Sequence, residues 1–248
     1  MLTGTTAQKL RDMHLGVMAS AFEEQLSDPK MSELSFEDRM SLIVDREWTS
    51  RKNNRLKKLI NDAKFADADA CIENIDYLPD RRLDKSQILS LAKCDYVLNG
   101  HNVLLLGATG CGKTYLACAL GMSAARNFLT VKYIRLPELF TELAMARGSN
   151  TIRKLLAQYK KYSLLIIDEW LLYPLRDTES RDLLEIIEAR AGKSSTIFCS
   201  QFDIPGWREK IGDPIVADAI CDRIVHNSYK IIMESKESMR KLKGISND

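Results

Sequence analysis

Apolar residues near the start of the chain recur at helical spacing. Leu10, Met13, Val17, Met18, Ala21, Phe22 and Leu26 fall on one face of an amphipathic helix, which Pro29 stops. Ser35 followed by Phe36, Glu37 and Asp38 reads as an N-cap with an acid three residues on. Met40, Ile43, Val44 and Trp48 form the stripe of the helix it opens. A third helical stretch sets Leu56, Leu59 and Ile60 against Arg51, Lys52, Arg55, Lys57, Lys58 and Lys64. Such helices must bury their apolar faces against each other or against a partner. Residues 74–79 read as a linker, and Asp84 caps a short helix through Ile88 and Leu91.

From about residue 100 the pattern changes to short apolar runs alternating with amphipathic helices. Asn102 to Leu106 is a strand ending at Gly107, and a helix follows to about Arg126. Strands are expected at Val131 to Ile134, Leu164 to Ile167, Ser195 to Ser200 and Tyr229 to Met233. Pro137 starts a helix in its first turn, Gly148-Ser149-Asn150 breaks it, and a basic helix runs on to about Tyr162. Thr178 is the expected cap of a helix through about Arg190. This alternation predicts an α/β fold, a parallel five-stranded sheet flanked by helices on both faces. Residues 1–78 form a small all-helical domain, and residues 79–248 form the domain that carries the sheet.

Composition narrows this picture modestly. The 248 residues carry a formal net charge of +2, too small to name a partner. The six cysteines, Cys71, Cys94, Cys111, Cys118, Cys199 and Cys221, include no C-x-x-C pair, and with three histidines a structural metal site is not expected. They read as small hydrophobes of a reducing compartment. The N-terminus lacks the pattern of a signal peptide, and no apolar run is long enough to span a membrane, so a cytoplasmic, membrane-free protein is expected.

The chemistry begins where the first strand ends. Gly107-Ala108-Thr109-Gly110-Cys111-Gly112-Lys113-Thr114 fits the Walker A pattern in full, with a strand before it and a helix after it. The glycines let successive backbone N–H groups wrap a phosphate, and the helix turns its positive end to the same anion. Lys113 reaches the β- and γ-phosphates, and the Thr114 hydroxyl ligates Mg²⁺. About 55 residues further on, Asp168-Glu169 follows the apolar run Leu164 to Ile167, the Walker B arrangement. Asp168 holds Mg²⁺ directly or through water, and Glu169 polarises the attacking water. No Asn-Lys-x-Asp base reader of a GTPase is present, and the Glu beside the Asp favours ATP hydrolysis. ATP and Mg²⁺ are therefore the expected cofactors.

Residues from about Ser35 to Arg240 resemble the IstB-like transposition helper ATPases, relatives of the DnaC helicase loader and the DnaA initiator in the AAA+ superfamily. The resemblance rests on Leu34-Ser35-Phe36-Glu37-Asp38-Arg39, on the phosphate loop with Tyr115-Leu116-Ala117 after it, and on Ile197-Phe198-Cys199-Ser200-Gln201 with Trp207 beyond. It rests further on Ala219 to His226, which contains Asp222-Arg223-Ile224-Val225-His226, and on Ser238-Met239-Arg240. It implies an AAA+ P-loop NTPase with little or no C-terminal lid. It also implies that Tyr115 belongs to the nucleotide-binding segment. Gln201 is implied as the sensor 1 residue that orients the water or the γ-phosphate. Arg223 is implied as an arginine finger reaching the nucleotide of a neighbouring subunit, and Arg240 as a sensor 2 residue that contacts the phosphates in cis.

In that family the element after the second strand faces nucleic acid. Here it carries Arg147, Arg153, Lys154, Lys160 and Lys161. Arg51, Arg55 and Lys58 offer a second basic face, which suits either DNA or a neighbouring subunit. The implied function is an ATP-dependent helper that oligomerises on duplex DNA, with ATP sites at subunit interfaces, remodels the DNA, and recruits or stimulates a cognate transposase. A helicase loader of the DnaC type and a nucleotide-binding module without turnover are the alternatives.

Overall fold

The computed structural model describes residues 2–235 and 238–239. Its contacts divide the chain into a unit that ends at Lys58 and a unit that begins at Leu59.

The first unit is helical, as expected, but its helices break elsewhere. The apolar stripe from Leu10 to Leu26 belongs to two helices, α1 (Leu2–Asp12) and α2 (Gly16–Ser27). His14 adopts a left-handed φ of 60° between them, and the Leu15 N–H bonds back to the Leu10 carbonyl, which ends α1. Conversely, the two helices expected after Ser35 are one, α3 (Phe36–Ala63), because no Gly or Pro interrupts it. Ser35 does cap it, accepting from the Asp38 N–H at 3.1 Å. Glu47, 8% exposed, takes the Met18 N–H at 2.9 Å and Arg51 Nε at 2.6 Å, and so joins α2 to α3. Of the α3 stripe, Ile43 is buried, whereas Met40, Val44 and Trp48 stay exposed.

The second unit begins before the boundary expected at residue 78. Ala63, Ala70, Ile72 and Ile75 are buried in the same core as Ala117 and Leu120, and the last of them lies in the stretch read as a linker. Two single 3-10 turns, Ile72–Asn74 and Pro79–Arg81, carry the chain to α4 (Lys85–Ala92), which Asp84 caps through the N–H groups of Ser86 and Gln87. After α5 (Asp95–Leu98) come β1 (Asn102–Leu106), α6 (Lys113–Arg126), β2 (Val131–Arg135), α7 (Leu136–Gly148), α8 (Ile152–Lys161) and β3 (Leu164–Asp168). Then follow α9 (Asp177–Arg190), β4 (Ser195–Ser200), α10 (Ile204–Ile211), α11 (Pro214–Val225) and β5 (Ser228–Ile232). Thr178 lies inside the first turn of α9; the cap position is Arg176, whose N–H bonds to the Glu179 carboxylate at 2.8 Å.

The five strands are parallel, in the order β2-β3-β4-β1-β5. Alternate residues serve two cores. Val103, Leu105, Leu164, Ile166, Ile197 and Cys199 face α4 and α6. Leu104, Leu106, Leu165, Ile167 and Phe198 face the layer that includes Leu139, Leu183, Trp207 and Ile220. Near-continuous apolar strands are what a sheet covered on both faces requires. The six cysteines are free, five of them buried, and desolvation raises the Cys199 thiol well above its usual range and Cys118 to about 11. Among the described residues no helix is long and apolar enough to cross a membrane.

Candidate nucleotide-binding site

The carboxyl ends of β1, β3 and β4 open on one side of the sheet, where an open parallel sheet binds its ligand. The loop after β1 turns in a space too small for side chains. A Cβ on Gly107 would stand 2.1 Å from the Met233 carbonyl oxygen, and Gly110 and Gly112 hold φ of 84° and 94°. The loop then enters α6, so the first-turn N–H groups of that helix face the space above the sheet.

Lys113, 8% exposed, lies along this loop, with Nζ 2.6 Å from the Gly107 carbonyl oxygen and 2.7 Å from that of Ala108. The Thr114 hydroxyl donates to Asp168 Oδ2 at 2.6 Å, and the Tyr133 hydroxyl donates to the same oxygen at 2.9 Å. Asp168 Oδ1 accepts the Glu169 N–H at 2.8 Å. Burial, then the carboxylate of Asp168, hold the Tyr133 phenol far above its usual range, so it remains a donor. A threonine hydroxyl against a carboxylate is a hard-oxygen pair suited to Mg²⁺, an ion that normally takes only one or two protein oxygens beside phosphate and water.

Glu169 leaves β3 with a left-handed φ of 55°, and Leu171 repeats that geometry at 53°. Between them the Trp170 N–H bonds to the Cys199 carbonyl at 2.8 Å, which fastens the turn across β4. Such strained non-glycine backbone clusters at functional sites. Arg135, at the end of β2, stands 3.7 Å from Glu169 and pairs closely with Glu138, whose carboxyl it holds below the usual range.

These side chains border a cavity of about 970 Å³. Of the residues expected from sequence, Thr109, Gly110, Gly112, Lys113, Thr114, Tyr115, Asp168, Glu169 and Gln201 line it. Gly107, Ala108 and Cys111 complete the loop behind them. Arg223 is not in this cavity. It lies on α11, donating to the Ala219 carbonyl at 2.9 Å and to Glu188 at 2.7 Å. Arg240 lies outside the described residues; Met239, just before it, donates its N–H to the Gly110 carbonyl at 2.9 Å. Among the basic candidates, Arg147 pairs with Asp182, Lys160 with Glu185 and Arg51 with Glu47. Arg153, Lys154 and Lys161 are exposed on α8, and Arg55 and Lys58 on α3.

The sequence reading missed Arg81, Tyr133 and Arg135, which also line the cavity. Tyr133 and Arg135 stand on a strand that was recognised, but no motif marks them. Arg81 follows the residues mistaken for a linker.

Comparison with known proteins agrees with this geometry. Residues 6–246 match the family described as IstB-like ATP binding protein. An insertion sequence ATP-binding protein of Sinorhizobium fredii is 40% identical over 97% of this chain and 98% of its own length. That of insertion sequence IS1162 from Pseudomonas fluorescens is 42% identical over 81% of this chain and 87% of its own. Among solved structures, AMPPCP-bound DnaA from Aquifex aeolicus superposes with a TM-score of 0.58 at 18% identity, covering 71% of this chain and 54% of that one. DnaI superposes with a TM-score of 0.56 at 23% identity, over 74% and 93%. These likenesses establish the AAA+ fold of the sheet-bearing unit.

Proposed function

Because the chain belongs to the IstB-like ATP-binding family, we propose that it is the Mg²⁺-dependent ATPase of an insertion sequence, which assembles on duplex DNA in the cytoplasm and recruits or stimulates the element's transposase. One observation carries the catalytic half of this reading: Lys113, Thr114, Asp168, Glu169 and Gln201 meet at one cavity from three separate strand ends. In that arrangement the loop N–H groups and Lys113 hold the phosphates, and Thr114 and Asp168 hold the metal ion, which when bound offsets charge on the transferred phosphoryl group. Glu169 takes the proton of the attacking water, and Gln201 orients that water or the γ-phosphate. Tyr115 belongs to the nucleotide-binding segment, and Arg240 is assigned a cis contact with the phosphates.

Arg223 supports a site shared between subunits. It is partly exposed, it stands outside the cavity of its own chain, and its partner Glu188 is on the surface. A guanidinium brought by a neighbour would tie hydrolysis to assembly. Arg147, Arg153, Lys154, Lys160 and Lys161 are proposed to meet DNA phosphates, as are Arg51, Arg55 and Lys58. The names of the two curated relatives described above, both tied to insertion sequences, favour this reading over a helicase loader. Sedimentation of the protein alone, with ATP, with duplex DNA and with both tests it. Large assemblies are expected only when both are present; a monomer under all four conditions would sink the proposal.

A further inference from the structure

Arg81 is a charged residue buried with no charge to meet it. It is 5% exposed, in the 3-10 turn before α4. Its Nη1 donates to the Asp76 carbonyl at 2.5 Å and its Nη2 to the Cys111 carbonyl at 3.0 Å. Its Nε is buried and, among the described residues, has no hydrogen-bond partner. Among the described residues no carboxylate stands within ion-pair distance of it. A guanidinium never deprotonates in a protein, and neutral carbonyls alone compensate a buried charge poorly.

Its location indicates what kind of anion would complete it. Arg81 borders the nucleotide cavity, and its Nη2 would be 2.9 Å from a Cβ placed on Gly112, at the first turn of α6. One of its two contacts is with the phosphate loop, at the Cys111 carbonyl, whereas Asp168 meets the loop only at Thr114 and Glu169 faces Arg135. Lys113, the buried cation of the loop itself, bonds the carbonyls at the loop's opposite end, Gly107 and Ala108.

We propose that Arg81 is a second cationic ligand of the nucleotide in cis, its guanidinium contacting the diphosphate portion that ATP and ADP share. This rests on the phosphate-loop reading above. The bound diphosphate supplies the missing countercharge and a partner for the Nε–H, while the two carbonyl bonds hold the guanidinium in place beforehand. Arg81 then discriminates nucleotides from nucleosides and is indifferent to the γ-phosphate, unlike Glu169 and Gln201.

The test compares ATP, ADP and adenosine binding to the full chain as wild type, Arg81→Met, Arg81→Lys and Lys113→Ala. Arg81→Met is expected to weaken ATP and ADP alike, by about 10- to 100-fold, with adenosine unchanged and Arg81→Lys intermediate. Unchanged ATP and ADP affinity overturns the proposal. So does an equal loss for adenosine, which would make Arg81 a strut of the cavity only. A second measurement does not depend on the Met variant folding. In wild-type protein the Nε–H resonance of Arg81, assigned by its absence in Arg81→Lys, is expected to shift on adding ADP but not adenosine. No shift with ADP overturns the proposal. Failure of the parent reading looks different: wild-type protein would then bind ATP no better than Lys113→Ala does.

Discussion

The Asp168 carboxylate receives three donors: Thr114 and Tyr133 on one oxygen, and the Glu169 N–H on the other. Thr114 and Asp168 belong to recognisable motifs, but Tyr133 is only an aromatic residue in a strand. Its hydroxyl holds the carboxylate in one orientation, as partners of metal ligands generally do. Tyr133→Phe keeps the ring in the core and removes only that bond. The Mg²⁺ concentration for half-maximal ATPase activity is expected to rise roughly 10-fold, while ATP binding in EDTA stays unchanged. An unaltered Mg²⁺ dependence would remove Tyr133 from the site.

Arg190, 2% exposed, ties several elements together. At the end of α9 it donates to the carbonyls of Tyr159 and Tyr162 at 2.7 and 2.8 Å, to that of Ser195 at 2.5 Å, and from Nε to Thr196 at 3.1 Å. Burial lowers its pKa to about 10, which still leaves it charged at neutral pH. Arg190→Met strands three carbonyls of α8, its exit and β4, and is expected to cost about 3 kcal/mol or more in urea unfolding. A loss under about 1 kcal/mol would mean that water replaces the bonds. The exposed residues of α8 test differently. Replacing Arg153, Lys154 and Lys161 by Gln should reduce the slope of log affinity against log salt for duplex DNA by about one for each residue that contacts a phosphate. An unchanged slope would assign α8 to another partner.

Elements also explain what was legible in the sequence. The strands and α6 were readable because their apolar runs end at Gly107, Asp168 and Ser200, where composition changes abruptly. The break between α1 and α2 was not, because the left-handed residue there is His14 rather than glycine. Residues 74–79 looked like a linker because a single buried Ile75 between short 3-10 turns sets up neither a helical nor an alternating period. The site was legible where one segment supplies several groups, as in Gly107 to Thr114. It was illegible where a single side chain arrives from afar, as with Arg81 and Tyr133.

At the scale of the whole molecule, the residues proposed for catalysis divide between the cavity and Arg223, which stands apart from it. Glu169→Gln is expected to bind ATP and lower turnover by at least about 100-fold. Arg223→Ala is expected to bind ATP normally and hydrolyse it poorly. If the arginine serves a neighbour, mixing the two inactive proteins creates some interfaces with an intact Glu169 on one side and an intact Arg223 on the other, and ATPase activity partly returns. Activity that stays at the level of the separate variants in every ratio would count against a shared site.

The strand order has a consequence for synthesis. β1, which carries the phosphate loop, pairs only with β4 and β5, both made long after it, and the Met233 N–H closes on the Leu106 carbonyl. A nascent chain that has released β1, α6 and β2 from the ribosome therefore has both flanks of β1 bare, for β2 pairs with β3 and not with β1. The loop acquires its full frame only when β5 emerges. Interrupted translation products that stop before β5 would thus lack a working phosphate loop and could not engage nucleotide in competition with the finished protein.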